Sequence, residues 1–188
     1  MRTFIALELS NEVKNELSRL QTELKKTGAE IKWVNPENIH LTIKFLGNIA
    51  SDKIERIKKI LDETSSRSAP FKISLFRLGA FPSLDRPRVI WAGIDRGCAE
   101  VEKIAGIMEE KFGVAGFEKN DRPFSAHLTL GRVRSGKNIP GLKKAISAVE
   151  VRPGSCLIKH IGFFQSTLTP RGSIYTPLHA AELSGAPS

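Results

Sequence analysis

A chain of 188 residues, 40% hydrophobic and 26% charged, is long and apolar enough to bury a sizeable core in one domain, which excludes bulk disorder, collagen and coiled coil. Lys and Arg number 29 against 20 Asp and Glu, and the net charge of +9 favours a polyanionic partner through counterion release. The longest apolar runs, such as Phe4 to Leu7, fall far short of the ~20 residues a spanning helix needs, and Met1 opens directly into a strand-like segment, so a soluble, cytoplasmic protein with no membrane partner is expected. Cys98 and Cys156 have neither metal-site nor redox spacing and are read as reduced structural thiols.

In chain order, Thr3 to Leu9 alternates and reads as a strand. Ser10 can cap a helix whose apolar stripe is Val13, Leu17, Leu20 and Leu24. A strand carrying His40-Leu41-Thr42-Ile43 follows Pro36, and Asp52 can cap an amphipathic stretch through Ile54, Ile57 and Leu61. Phe71 to Phe81 reads as a strand, and the proline-bounded loop from Phe81 to Pro87 joins it to a strand over Val89 to Ile94. Val101, Ile104, Met108 and Phe112 then give a helical stripe, followed by a strand with His127-Leu128-Thr129-Leu130. Leu142, Ile146 and Val149 after Pro140 mark a further helix. Strands are expected over Leu157 to Phe164 and Ser173 to Leu183, and Ser184 to Ser188 reads as a frayed end.

The two His-Leu-Thr segments lie 87 residues apart, each four positions after a proline, Pro36 or Pro123, and the same offset carries each neighbouring element onto one of its own type. The expected fold is therefore α+β: one bilobal domain over 1–188, with an internal repeat over about 2–81 and 88–168 and a last strand over about 173–183. Its two antiparallel sheets are related by a pseudo-twofold axis, with helices outside and a catalytic cleft between.

On a strand, His40 and Thr42 share one face, as do His127 and Thr129, while Leu41 and Ile43 turn to the core. Two imidazoles and two hydroxyls brought around one point suit a small tetrahedral anion. One imidazole can take a proton from an attacking oxygen and the other can give one to the leaving oxygen, while the hydroxyls hold non-bridging oxygens. This scheme requires no metal and no cofactor. His160 and His179 lack the following threonine and are assigned to strand surface or core; GxxxxGK[ST], GxGxxG and GxSxG do not occur.

Trp33 to Gly47 (WVNPENIHLTIKFLG), Phe81 to Ile94, Phe124 to Val133 (FSAHLTLGRV) and Phe163 to Leu178 together resemble the two-histidine (2H, HxTx) phosphoesterases. Within them the chain is most similar to the bacterial and archaeal 2'-5' RNA ligase, or RNA 2',3'-cyclic phosphodiesterase, branch. The resemblance implies a hydrolase that opens RNA 2',3'-cyclic phosphate ends to 2'-phosphates without a metal and, in some members, reversible 2'-5' joining of tRNA halves. It implies that His40 is the proton donor to the departing 3' oxygen, His127 the proton acceptor from water, and Thr42 and Thr129 the phosphate holders. It also implies that Arg132 contacts substrate, although strict alternation points Arg132 away from His127 unless the strand bulges or ends at Gly131. Phe45, Phe124, Phe164 and Tyr175 lie near the motifs and could stack a base; alternation buries Phe45, which leaves Tyr175 as the favoured ring. Basic residues in Lys72 to Arg77, Arg86 to Arg88 and Arg132 to Lys137 offer a track for RNA. The cleft is intramolecular, so a monomer is expected. The competing reading is a non-catalytic nucleotide- or RNA-binding module on the same fold.

Overall fold

The computed structural model describes residues 1–170 and 172–186. Strand β1 (Arg2–Leu7) leads to helix α1 (Asn11–Lys25), where the Ser10 Oγ accepts from the Val13 N–H and the expected stripe, Val13, Leu17, Leu20 and Leu24, is fully buried. A three-residue strand that the hydropathy pattern does not signal, β2 (Ile31–Trp33), precedes a 3-10 turn over Pro36–Asn38 and then β3 (Leu41–Asn48). Helix α2 (Ile54–Ser65) and strands β4 (Phe71–Ile73) and β5 (Leu75–Phe81) complete the first half. The second half runs β6 (Val89–Ile94), α3 (Cys98–Val114), β7 (His127–Val133), α4 (Ile139–Ala148), β8 (Cys156–Ile158) and β9 (His160–Thr169), and β10 (Gly172–Glu182) follows.

Two antiparallel four-stranded sheets result, in the orders β10-β9-β1-β3 and β2-β7-β6-β5. The 87-residue offset carries the paired strands β1/β3 onto the paired strands β6/β7. The next strand is exchanged: β9, from the second half, pairs with β1, and β5, from the first, pairs with β6. Strands β2 and β10 have no counterpart and occupy edges. One face of each sheet is sealed into the main core, with α2 and α3 against the first sheet and α4 against the second. On its opposite face the first sheet carries a separate small cluster of Phe4, Ala6 and Phe164, with Tyr175 packed against it.

Three expectations are corrected. No side chain caps α2, because Ser51–Lys53 forms a 3-10 turn that runs directly into the helix with Asp52 inside it. The strands expected over 71–81 and 157–164 both break, at Ser74 and Lys159, because β4 and β8 leave the larger sheets to pair with each other through Phe71↔Ile158, Lys72↔Leu157 and Ile73↔Cys156. Ser184 and Gly185 are docked rather than frayed, their N–H groups donating to the carbonyls of Ser65 and Ser68; Pro187 and Ser188 lie outside the described residues.

Both His-Leu-Thr strands carry a β-bulge one residue after the threonine. Thr42 pairs with Ala6 and Lys44 with Ile5, so Ile43 is skipped; Thr129 pairs with Trp91 and Gly131 with Ile90, so Leu130 is skipped. An extra residue inverts the alternation beyond it. Lys44 and Gly131 therefore turn inward, and Phe45 and Arg132 emerge on the same face as the histidines. The inward Lys44 is satisfied by Glu109 of α3 at 2.7 Å and the Glu118 carbonyl at 2.9 Å.

Candidate active site

Each histidine stands at the start of its strand, and the backbone fixes its tautomer. His40 Nδ1 lies 2.8 Å from the Asn38 carbonyl, and His127 Nδ1 lies 2.7 Å from the Ser125 carbonyl, in both cases two residues back. A carbonyl can only accept, so Nδ1 carries the hydrogen and Nε2 is left to exchange protons.

Beneath each imidazole lies an aromatic platform. His40 stacks on Phe4 with centroids 4.6 Å apart, and Phe4 stacks on Phe164 at 5.4 Å. His127 meets Phe81 edge-on at 5.0 Å, and Phe81 leans on Trp91 at 5.2 Å. The same 87-residue shift pairs Phe4 with Trp91, so the repeat itself carries a signal for these two rings. Gly162 and Gly79 let the platforms lie flat, since a Cβ at Gly162 would sit 2.3 Å from the Phe164 ring and one at Gly79 2.2 Å from Trp91.

Thr42 and Thr129 follow on the histidine faces, half-buried, and among the described residues neither hydroxyl has a protein partner. Arg132 also lies on this face, exposed, because of the bulge at Leu130. Phe45 is the correction: alternation buries it, yet the bulge at Ile43 leaves it 61% exposed beside Phe4 at 6.3 Å. Tyr175 is edge-on to both His40, at 5.1 Å, and Phe4, at 4.9 Å, so it braces the imidazole. A cavity of about 160 Å³ opens here, lined by His40, Tyr175, Phe164, Lys14 and Asn38 among others.

Three supports were not legible in the sequence. The Asn38 side chain donates to the Ser173 carbonyl at 2.8 Å, fastening β10 to the turn that holds His40. Gln21 of α1, buried, donates to the carbonyls of Val34 at 2.8 Å and of the bulge residue Leu130 at 2.9 Å. Glu109 accepts from the Asn120 backbone N–H at 2.7 Å as well as from Lys44, securing the loop that runs on to Ser125. The two halves of the site are adjacent, since β3 lies against β7 and β2 pairs with β7 before the chain continues to His40.

Burial in the aromatic setting pushes the His40 pKa below the ordinary 6.5; the hydrogen bond with the Asn38 carbonyl opposes this, and the charge of Lys14 adds to it. An NMR titration of the free protein is expected to place the His40 midpoint below 6.5 and to move it upward in Lys14→Gln. A wild-type midpoint at or above 6.5 contradicts this account of the imidazole's surroundings. The folded protein binds this proton less readily than the unfolded chain, so its effect on stability is absent above pH 6.5 and destabilising as pH falls below it.

Among the described residues, no three His, Cys, Asp or Glu side chains are grouped to hold a metal ion, and no helix is long and apolar enough to cross a membrane. A family model described as LigT like phosphoesterase matches residues 7–91 and 94–175. The RNA 2',3'-cyclic phosphodiesterase of Methanocaldococcus jannaschii is 38% identical over 177 residues, covering 93% of this chain and 96% of that protein. Its namesake from Methanothermobacter thermautotrophicus is 33% identical over 184 residues, covering 97% and 99%. Among solved structures, TT0787 of Thermus thermophilus superposes with a TM-score of 0.80 at 26% identity over 98% of this chain and 99% of that one. Escherichia coli LigT complexed with 3'-AMP shares the fold, with a TM-score of 0.78 at 24% identity over 97% and 98%.

Proposed function

The chain belongs to the LigT-like phosphoesterases, and from that premise we propose that it hydrolyses RNA 2',3'-cyclic phosphate ends to 2'-phosphates with two histidines as proton carriers and no metal. The observation that carries this reading is the duplicated His-x-Thr strand, in which both imidazoles have Nδ1 tied to a carbonyl and both threonine hydroxyls lack a protein partner among the described residues.

His127 Nε2 takes a proton from water as its oxygen bonds to phosphorus. The bond from phosphorus to O3' breaks, and His40 Nε2–H delivers a proton to that oxygen, leaving a 2'-phosphate and a 3'-hydroxyl. The direction, His40 as acid and His127 as base, follows the family resemblance. Burial makes His40 a stronger acid than a free imidazole, and the negative charge of a bound phosphodiester favours its protonated form. Thr42 and Thr129 donate to the non-bridging oxygens, and Arg132, on the same face, is a further contact to the substrate. Tyr175 borders the nucleoside's side of the site, and Phe45 offers the open ring on which a base can stack. A 5'-hydroxyl in place of water would give 2'-5' joining, as for tRNA halves, through the same transition state. The enzyme is taken to act as a monomer in the cytoplasm.

The test is incubation, in EDTA, with an oligoribonucleotide ending in a 2',3'-cyclic phosphate. Accumulation of a 2'-phosphate end is the expected result. Salt-dependent RNA binding without turnover, across the range in which imidazole titrates, would instead make the protein a binding module.

A further inference from the structure

Strand β2 has no counterpart in the repeat, and it adds one charge to the substrate-facing surface. In the β2/β7 ladder Lys32 stands directly opposite Arg132. Arg132 is in turn opposite Val89, whose second neighbour along β6, Trp91, is opposite Thr129, so Lys32, Arg132, Thr129 and His127 all occupy one face. Like charges directly opposed in an antiparallel pair repel and are destabilising. Both side chains are exposed, and among the described residues neither has an ion-pair or hydrogen-bond partner. The carboxylate best placed by sequence to relieve them, Glu30, is already engaged by Lys137 at 3.5 Å and by the Ser135 hydroxyl at 2.7 Å. In the other sheet the position equivalent to Arg132 is Phe45, so the opposed cations belong to one side of the site only.

We propose that Lys32 and Arg132 form a second anion site, which takes the phosphodiester adjoining the cyclic end of an RNA strand. It rests on the cyclic-phosphate reading above. The pair lies two ladder positions beyond Thr129, about 7 Å along the strand at the usual rise per residue, a distance of the order of one nucleotide of extended backbone. A phosphodiester between two cations relieves their repulsion and is held by charge-assisted hydrogen bonds. The site therefore distinguishes a strand end from a free cyclic mononucleotide, which lacks the second phosphate.

Steady-state kinetics on two substrates test this: a 2',3'-cyclic nucleoside monophosphate, and a dinucleotide ending in a 2',3'-cyclic phosphate with a free 5'-hydroxyl. Lys32→Ala is expected to raise KM for the dinucleotide about 5- to 10-fold more than for the mononucleotide, and Lys32→Arg to restore it. The slope of log KM against log salt for the dinucleotide should become shallower by about 0.7, the value for one phosphate contact on a single strand. With a neutral methylphosphonate linkage the difference between wild type and Lys32→Ala should vanish. Equal losses on both substrates, or no loss on the dinucleotide, would overturn the second site while leaving the reaction itself standing. Failure of the wild type to turn over either substrate would instead remove the reading on which it rests.

Discussion

His127→Ala and His40→Ala proteins will each lose about 10²- to 10⁴-fold in turnover of a 2',3'-cyclic phosphate end, and the double variant will lose little more than the worse single one. Each imidazole has one nitrogen committed to a backbone carbonyl and one left for chemistry, so deletion removes a proton carrier that no neighbour can replace. Acid and base act in the same step, which is why their losses should not add. His40 also packs on Phe4 and Tyr175, so alanine there removes a ring from the platform as well as a proton. His40→Phe separates the two effects: it keeps an aromatic ring against Phe4 and should remain as inactive as the alanine form, with a melting temperature closer to wild type. Single-turnover rates near wild type in either alanine variant would exclude the two-histidine scheme.

Glu109→Ala should destabilise the fold by about 3–5 kcal/mol, as expected when a buried charge loses its partner. The Lys44 side chain is only 2% exposed, whereas that of Glu109 is 28% exposed, so the two truncations are not equivalent. Without Glu109 the ammonium is left with the Glu118 carbonyl alone. Without Lys44 the carboxylate keeps the Asn120 backbone and side-chain donors and can turn toward water, so Lys44→Met should cost distinctly less. Burial pushes the Glu109 pKa up, but the hydrogen bonds from Lys44 and Asn120 outweigh it and hold the carboxyl below its ordinary value of 4.5. Its contribution is therefore present above pH 4.5 and is lost as pH falls through the lowered folded value, and this acid-labile portion should be missing from Glu109→Ala. For a chain of this size each kcal/mol corresponds to about 2–4 °C in Tm. Equal destabilisation by the two truncations in chemical denaturation would contradict the asymmetry.

The repeat was legible because both halves keep the same order of apolar periodicities, and because a histidine and a threonine two residues apart on a strand must share a face. What lay beyond each threonine was not legible. Alternation sends position 45 inward and position 132 away from His127, but Ile43 and Leu130 are extra residues in their ladders, and both side chains reverse. Nothing in the run of apolar residues marks a bulge, since the skipped residues are themselves buried and apolar. Lys44 illustrates the cost of the same inversion, a lysine carried into the core and satisfied by a glutamate 65 positions away. The breaks at Ser74 and Lys159 were hidden for a related reason: β4 and β8 have the composition of the strands that follow them, and only the pairing across the halves separates them.

The strand exchange has a consequence for how such a molecule can be assembled. Because β5 completes the sheet built on β6 and β7, and β9 the one built on β1 and β3, a chain of either half alone would present an unfilled ladder and a strand seeking one. Two copies of one half would satisfy each other reciprocally, as the protomers of a domain-swapped homodimer do, and would place two identical His-x-Thr strands about their common axis. Such a dimer would be bound to give both histidines the same surroundings. Joining the copies through the loop after Phe81 frees them to diverge, so that one imidazole can sit on Phe4 against Tyr175 while the other meets Phe81 edge-on.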